Sequence, residues 1–210
     1  MDKDLYLARI GFSQTVRPSL TTLEALCHAH LQSVPFENFD IHLGTALRLD
    51  AQRLYRKIVL RKRGGFCYEL NGLFAWLLRE IGFEVELLSS RVNRRGSTGP
   101  DFDHMALRVW CGSEAYLVDV GFGDGSTSPL PQRAGASRLG PGTVHRIEPH
   151  PMETNERALR YEVETRDGCI KGNELSLMPR RMSEYEAMSH HHQHSARTRV
   201  TKARICVLHT

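Results

Sequence analysis

The sequence predicts an α+β fold in which a helical N-terminal part hands over to a mostly antiparallel β part. Two observations carry this: a broad apolar stripe at helical spacing ends at Ile81, and beyond Gly82 the apolar period switches to two. Composition is the third. With 210 residues, 40% hydrophobic and 25% charged, the chain has an ordinary globular make-up and enough apolar surface to offset chain entropy. The same figures exclude disordered, collagen-like and disulfide-scaffold classes, since Gly is 17, Pro 9 and Cys 5.

The helical signals come first. Thr21-x-x-Glu24 has the form of a capping box, and Leu23, Leu26 and Leu31 follow at near-helical spacing. Asp50 is a good N-cap for a second helix carrying Leu54 and Ile58 on one face. Residues 69–81 give the clearest element: Leu70, Leu73, Phe74, Leu77, Leu78 and Ile81 form one wide stripe, and Gly82 stands where a left-handed residue would stop the helix. Residues 84–92 then read as a strand, and 93–103 as a polar loop. Residues 104–111, Gly112-Ser113 and 114–120 read as a hairpin with a Gly-X turn. The Gly-, Ser- and Pro-rich stretch 123–142 reads as a long loop or lid, and 160–163 and 174–177 as two weaker strands. The tail, 180–210, is polar and basic.

Charge and cysteine usage limit the partners. Lys and Arg number 28 against 24 Asp and Glu, a net +4 that does not demand nucleic acid but tolerates a phosphate-bearing small molecule. Arg63-Gly64-Gly65 has the look of an RNA-binding box, yet it occurs once, so no nucleic-acid partner is expected. There is no run of ~18 apolar residues, and the start Met1-Asp2-Lys3-Asp4 lacks a signal peptide's apolar segment, so no membrane partner is expected. Cys27, Cys67, Cys111, Cys169 and Cys206 are scattered without a CxxC pair, which predicts reduced thiols in the cytoplasm. His190, His191, His192 and His194 invite a metal reading. Adjacent histidines on a helix point in different directions and no Cys or carboxylate completes the set, so a solvated polar segment without metal is expected.

The residue that needs explaining is Cys67. It lies just before the strong helix, where unpaired N–H groups and the dipole favour a thiolate. The dipole is worth roughly 0.3–2 kcal/mol, too little to ionise a thiol fully at neutral pH. A neighbouring imidazolium would do so; the competing reading is a small buried hydrophobe. The hairpin supplies a candidate. If Gly112-Ser113 is a two-residue turn, Cys111 faces Glu114, His104 faces Gly121 and Asp119 faces Ala106. His104 and Asp119 are then diagonal neighbours on one face, about 7–8 Å apart at the backbone and within reach of an imidazole–carboxylate hydrogen bond. A one-residue change in loop length would put them on opposite faces.

Four blocks carry a family likeness. Val34-Pro35-Phe36-Glu37-Asn38, Arg63-Gly64-Gly65-Phe66-Cys67-Tyr68-Glu69-Leu70-Asn71, Asp103-His104 and Val118-Asp119-Val120-Gly121-Phe122-Gly123 resemble the arylamine N-acetyltransferases in order and spacing. The resemblance implies a three-part fold: a helical bundle, a β-barrel and a C-terminal α/β lid, the first two forming a papain- and transglutaminase-like core. It divides the chain into 1–83 carrying the nucleophile, 84–188 carrying His and Asp, and 189–210 as the start of a truncated lid segment. It implies Cys67 as acetyl-accepting nucleophile, with His104 and Asp119 completing the triad. Phe36 and Phe122 match positions lining the amine pocket, with ordinary core packing the competing reading, and Glu37 and Arg63 match a structural charge pair. Acetyl-CoA is implied as co-substrate with no metal, and an arylamine, arylhydrazine or N-hydroxyarylamine as acceptor; no motif assigns the residues that hold CoA.

Two departures from the family pattern stand out. The chain stops at Thr210, before most of the lid, and the family's Thr-Ser-Pro-x-Ser-x-Phe stretch is replaced by His194-Ser195-Ala196-Arg197-Thr198-Arg199-Val200. They leave two alternatives to the transferase: a thiol hydrolase or amide synthase on the same triad, or a truncated, weakly active or inactive homologue. Both enzyme readings predict that iodoacetamide alkylates Cys67 much faster than the other four thiols; equal rates, read by peptide mass spectrometry, would count against both.

Overall fold

Hydrogen-bonding side chains start the N-terminal helices. The computed structural model describes residues 1–94, 97–123, 125–140, 142–150, 158–168 and 170–210. Asp2 caps α1 (Lys3–Arg9) by accepting from the Asp4 and Leu5 N–H groups. Ser19 caps α2 (Leu20–Ser33) through the Thr22 N–H. The cap thus falls before the expected Thr21, because Ser19 is the last extended residue (φ −153°, ψ 155°) and Thr21 already lies inside the helix. After β1 (Phe36–Glu37) and the single turn α3 (Phe39–His42), Asp50 caps α4 (Ala51–Tyr55) as expected, accepting from Arg53 at 3.0 Å. A π-helical turn, Arg56–Leu60, continues α4 and lets Leu54 and Ile58 both reach the core. The strong stripe is α5 (Cys67–Ile81), begun two residues earlier than Glu69 and stopped by Gly82 at φ 105°.

The β part is one antiparallel sheet. Its strands are β2 (Glu84–Arg94), β3 (Ser97–Thr98), β4 (His104–Cys111), β5 (Glu114–Val118), β6 (Leu130–Pro131), β7 (Ser137–Gly140), β8 (Thr143–Pro149), β9 (Ala158–Thr165) and β10 (Ile170–Arg180). Their order is β6-β5-β4-β2-β10-β9-β8-β7, with β3 on β2. Residues 132–136 join the two ends: Gln132 donates to the Ala115 carbonyl at 2.7 Å and Gly135 to that of Ile147 at 2.8 Å, so the sheet curls into a nearly closed barrel. The stretches expected as loops, 93–103 and 123–142, therefore contribute the end of β2 and strands β3, β6 and β7. These short strands hold too few side chains to show an alternation and are specified by backbone pairing. Within those stretches Arg95, Gly96, Asp124 and Pro141 lie outside the described residues, as does Cys169; Cys27, Cys67, Cys111 and Cys206 are free thiols.

The hairpin has the expected register. Gly112 takes φ +63° and Cys111 pairs with Glu114, so Leu107 meets Val118 across β4 and β5. Alternation then sorts side chains into two cores. Met105, Leu107, Val109, Tyr116 and Val118 pack on α5, while Ala106 and Leu117 point into the barrel with Ile147, Tyr161 and Leu175. The buried face of α5 (Leu70, Leu73, Phe74, Leu77, Leu78) joins the helices to the sheet, each large side chain stabilising by roughly 1.5–3 kcal/mol.

The tail departs from the expected solvated segment. A 3₁₀ turn (Met182–Tyr185) leads into α6 (Glu186–His194), then α7 (Arg199–Lys202) and β11 (Cys206–Val207), which pairs antiparallel with β1. Tyr185, Ser189 and His192 are buried, one narrow stripe in a polar sequence, too thin for a hydrophobicity reading to register. Among the described residues no helix is long and apolar enough to cross a membrane.

One buried group makes stability depend on pH. His30 on α2 is fully buried, its ring 5.1 Å from Phe74 and 6.1 Å from Tyr6, with no hydrogen-bond partner at either nitrogen among the described residues. Burial, aided by the Arg9 charge, pushes its pKa down to about 3. Because the folded value lies below the unfolded one of about 6.5, the stability it contributes is present above that pH and is lost as pH falls. A His30→Leu variant should lose less unfolding free energy than the parent between pH 7 and pH 4.5 in calorimetry, by up to about 1.4 kcal/mol per pH unit; parallel curves would assign the acid sensitivity elsewhere.

Candidate active site

The first turn of α5 is buried, so its N–H groups need partners from inside the protein. The Glu69 carboxylate supplies one, accepting from the Phe66 N–H at 2.8 Å. Glu69 is held by Lys57 (2.8 Å), which also reaches Asp40 (2.8 Å); Asp40 accepts from Arg63 (3.0 Å), and Arg63 from there reaches Glu37 (2.7 Å). Burial works against the Lys57 charge, but Glu69 and Asp40 outweigh it and hold its pKa above the ordinary lysine value. The Glu37–Arg63 charge pair is thus one end of a five-residue network that anchors the start of α5. Gly64 belongs to the same constraint, since a Cβ there would lie 2.2 Å from the Pro35 carbonyl oxygen.

Cys67 is the first residue of α5 and is almost fully buried. Burial pushes its thiol well up, the Asp119 and Asp103 carboxylates push it further, and the Tyr68 and Met105 N–H groups pull the other way. The helix N-terminus alone therefore leaves this sulfur protonated at neutral pH, and ionisation needs a proton acceptor beside it.

His104 opens β4 and is buried; its Nε2 lies 2.5 Å from Asp119 Oδ2, just past the end of β5. The second carboxylate oxygen, Oδ1, accepts from the Asn71 Nδ2 and from the Gly121 N–H, both at 2.9 Å. Asn71 also donates to the Met105 carbonyl (2.7 Å) and accepts from the Val120 N–H (2.9 Å), so one α5 side chain ties both strands to the helix that carries Cys67. With Nε2 committed to Asp119, only Nδ1 of His104 is left for proton exchange. Gly121 passes close over the sulfur-bearing turn: a Cβ there would lie 3.0 Å from Cys67 Cα.

Cys67 and His104 share a cavity of about 250 Å³ with Phe36 and Phe122. Phe122 sits edge-on to His104 (centroids 5.0 Å apart, 73° between planes), and Phe36 tilts against Phe66 at 5.7 Å. The tail closes the wall, with Val200, Ile205 and Val207 lining it and β11 holding β1, hence Phe36, by main-chain pairing. All five residues singled out from the sequence thus gather at one place. Sequence reasoning missed Asn71, Lys57, Asp40 and the buried His192. Of these only Asn71 left a trace, a polar residue on the buried stripe of α5, which must find partners there. Among the described residues no group of three or more His, Cys, Asp or Glu side chains is placed to hold a metal.

A family model described as N-acetyltransferase matches residues 19–210. An arylamine N-acetyltransferase of Mycolicibacterium smegmatis is 47% identical over 142 residues, 64% of this chain and 52% of that protein, so the match spans about half the relative's length. Human arylamine N-acetyltransferase 1 is 31% identical over 229 residues, covering 100% of this chain and 78% of the relative. Among solved structures, an M. smegmatis arylamine N-acetyltransferase superposes with a TM-score of 0.90 at 33% identity, over 99% of this chain and 77% of that one. A Mycobacterium marinum arylamine N-acetyltransferase in complex with CoA does so with 0.87 at 30%, over 98% and 76%.

Asn71→Ala would strip Asp119 of a charged hydrogen bond worth about 1.5–3 kcal/mol. The expected result is a fall in kcat on the order of 10- to 100-fold with KM little changed, measured by steady-state kinetics; an unchanged kcat would show that Gly121 alone orients Asp119.

Proposed function

The chain belongs to the arylamine N-acetyltransferase family, and from that premise we propose that it moves an acetyl group from acetyl-CoA to an arylamine, arylhydrazine or N-hydroxyarylamine by a ping-pong route through acetyl-Cys67. The observation that carries the reading is the convergence of Cys67 and the His104–Asp119 pair (2.5 Å) on one aromatic-walled cavity.

In the first half-reaction the Cys67 proton passes to His104 Nδ1, and Asp119 stabilises the resulting imidazolium through Nε2. The thiolate attacks the thioester carbonyl; the new C–S bond forms as the CoA thiolate leaves and takes the proton from His104. In the second half-reaction the amine nitrogen attacks the acetyl-cysteine carbonyl and gives a proton to His104, and the C–S bond to Cys67 breaks. Backbone N–H groups at the start of α5 suit the transient oxyanion. Desolvation raises the thiol's pKa, yet it also strengthens the imidazolium–thiolate attraction, so ionisation is confined to the state in which His104 is in place. Flat apolar walls at Phe36 and Phe122 favour an aromatic acceptor, and a cavity below the usual ligand range of about 300–1,000 Å³ favours a single-ring amine over a fused one.

Intact-protein mass spectrometry after brief incubation with acetyl-CoA tests this. One added acetyl group is expected, absent in Cys67→Ala and discharged by an arylamine; Asp119→Asn should slow acetylation by on the order of 10,000-fold through a misoriented His104. An adduct that discharges to water alone would favour a thiol hydrolase. No adduct would leave a folded, non-enzymatic homologue.

A further inference from the structure

Cys67 and the His104–Asp119 pair share their cavity with a second imidazole–carboxylate couple. His192, on α6, is buried against Phe66 (centroids 5.5 Å apart, 65° between planes) and Tyr68 (6.0 Å), and lines the same cavity as Cys67. Its Nε2 lies 3.1 Å from the Asp103 carbonyl oxygen and 3.3 Å from Asp103 Oδ1, the distances of a shared donor. Asp103 directly precedes His104 and is itself buried. The two pairs correspond: in each, an Asp occupies Nε2 of a histidine.

The chain around Asp103 also depends on outside support. Phe102 holds a left-handed φ of +62°, a conformation strained for a non-glycine residue that persists only where its surroundings impose it. Its N–H donates to Ser89 Oγ (2.8 Å), its carbonyl accepts from the Tyr68 hydroxyl (2.5 Å), and its ring meets Tyr185 edge-on at 5.1 Å. Tyr185 and His192 both belong to the tail, so the tail clamps the segment that leads into His104.

We propose that His192 is a positioning residue for the transferase chemistry, donating its Nε2–H to the Asp103 carboxylate so that this oxygen is drawn away from Cys67, and fixing the start of β4. This rests on Cys67 being the nucleophile. The charged and titratable neighbours divide by element: Cys67 and Tyr68 on α5, Asp103 and His104 at the start of β4, Asp119 after β5, and Tyr185, His191 and Arg199 on the tail. Asp103 is one of the two carboxylates that oppose a thiolate at Cys67, and His192 sets an N–H donor against it.

The test is the pH dependence of Cys67 alkylation by iodoacetamide in the full chain, with mass-spectrometric acetylation and Tm alongside. His192→Leu should move the alkylation midpoint up by about one pH unit, a tenfold loss of rate at neutral pH, and His192→Gln, which keeps an N–H donor, should move it less. Asp103→Asn alone should move it down, and the double variant should return it to the parent value. A purely structural role would lower Tm and leave the midpoint in place. An unmoved midpoint in folded His192→Leu, or a raised one that Asp103→Asn does not restore, overturns the proposal. Should His192→Leu fail to fold, Asp103→Asn decides alone, with a midpoint that does not fall as the contrary result. Parent protein that alkylates at Cys67 yet takes no acetyl group would instead defeat the transferase reading.

Discussion

A buried helix N-terminus must have its N–H groups answered from within the protein, and the start of α5 is the place where this chain meets that demand. Glu69 reaches back to the Phe66 N–H, Lys57 answers Glu69, and Asp40, the partly exposed Arg63 and the buried Glu37 extend the chain of alternating charges. Lys57 is the member that bridges two of these carboxylates, and removing it would leave Glu69 buried without a cation. Because that turn presents Cys67, the sulfur's position is fixed by electrostatics some distance from any reacting atom.

From this anchor the rest of the site follows by short links. Asn71, one turn along the same helix, fastens both Asp119 and the backbone after β5, and the hairpin register brings His104 to the same carboxylate. At the site one amide side chain ties helix to sheet, so His104 and Cys67 share a common reference. The barrel interior and the helical core lie on opposite faces of β4 and β5, which lets His104 and Asp119 sit at the seam between them.

Much of this was legible because the local rules involved are strict. A two-residue Gly-X turn fixes the hairpin register, so once Gly112-Ser113 is read as that turn, Cys111 pairs with Glu114 and His104 and Asp119 fall on one face. The stripe from Leu70 to Ile81 and the stop at Gly82 defined α5 to within one turn. What stayed hidden depends on contacts between distant segments. Lys57, Asp40 and Glu69 are ordinary charges until folding packs their elements together, and His192 reads as one of several exposed histidines until α6 turns it inward. The Ser19 cap was missed for a different reason: Ser19 and Thr21 are both good caps, and only backbone conformation chooses between them.

The pairing of β1 with β11 has a consequence for how the protein comes together. Phe36 is held beside Val207, a contact between the early and the last part of the chain, whereas the α5 core forms from segments much closer in sequence. Loop-closure entropy makes such a distant pairing late to form and, being only two residues long, early to open. The Phe36 side of the cavity would then assemble after α5 is already in place, and a brief opening of this two-residue pairing would loosen Phe36 without disturbing the core beneath.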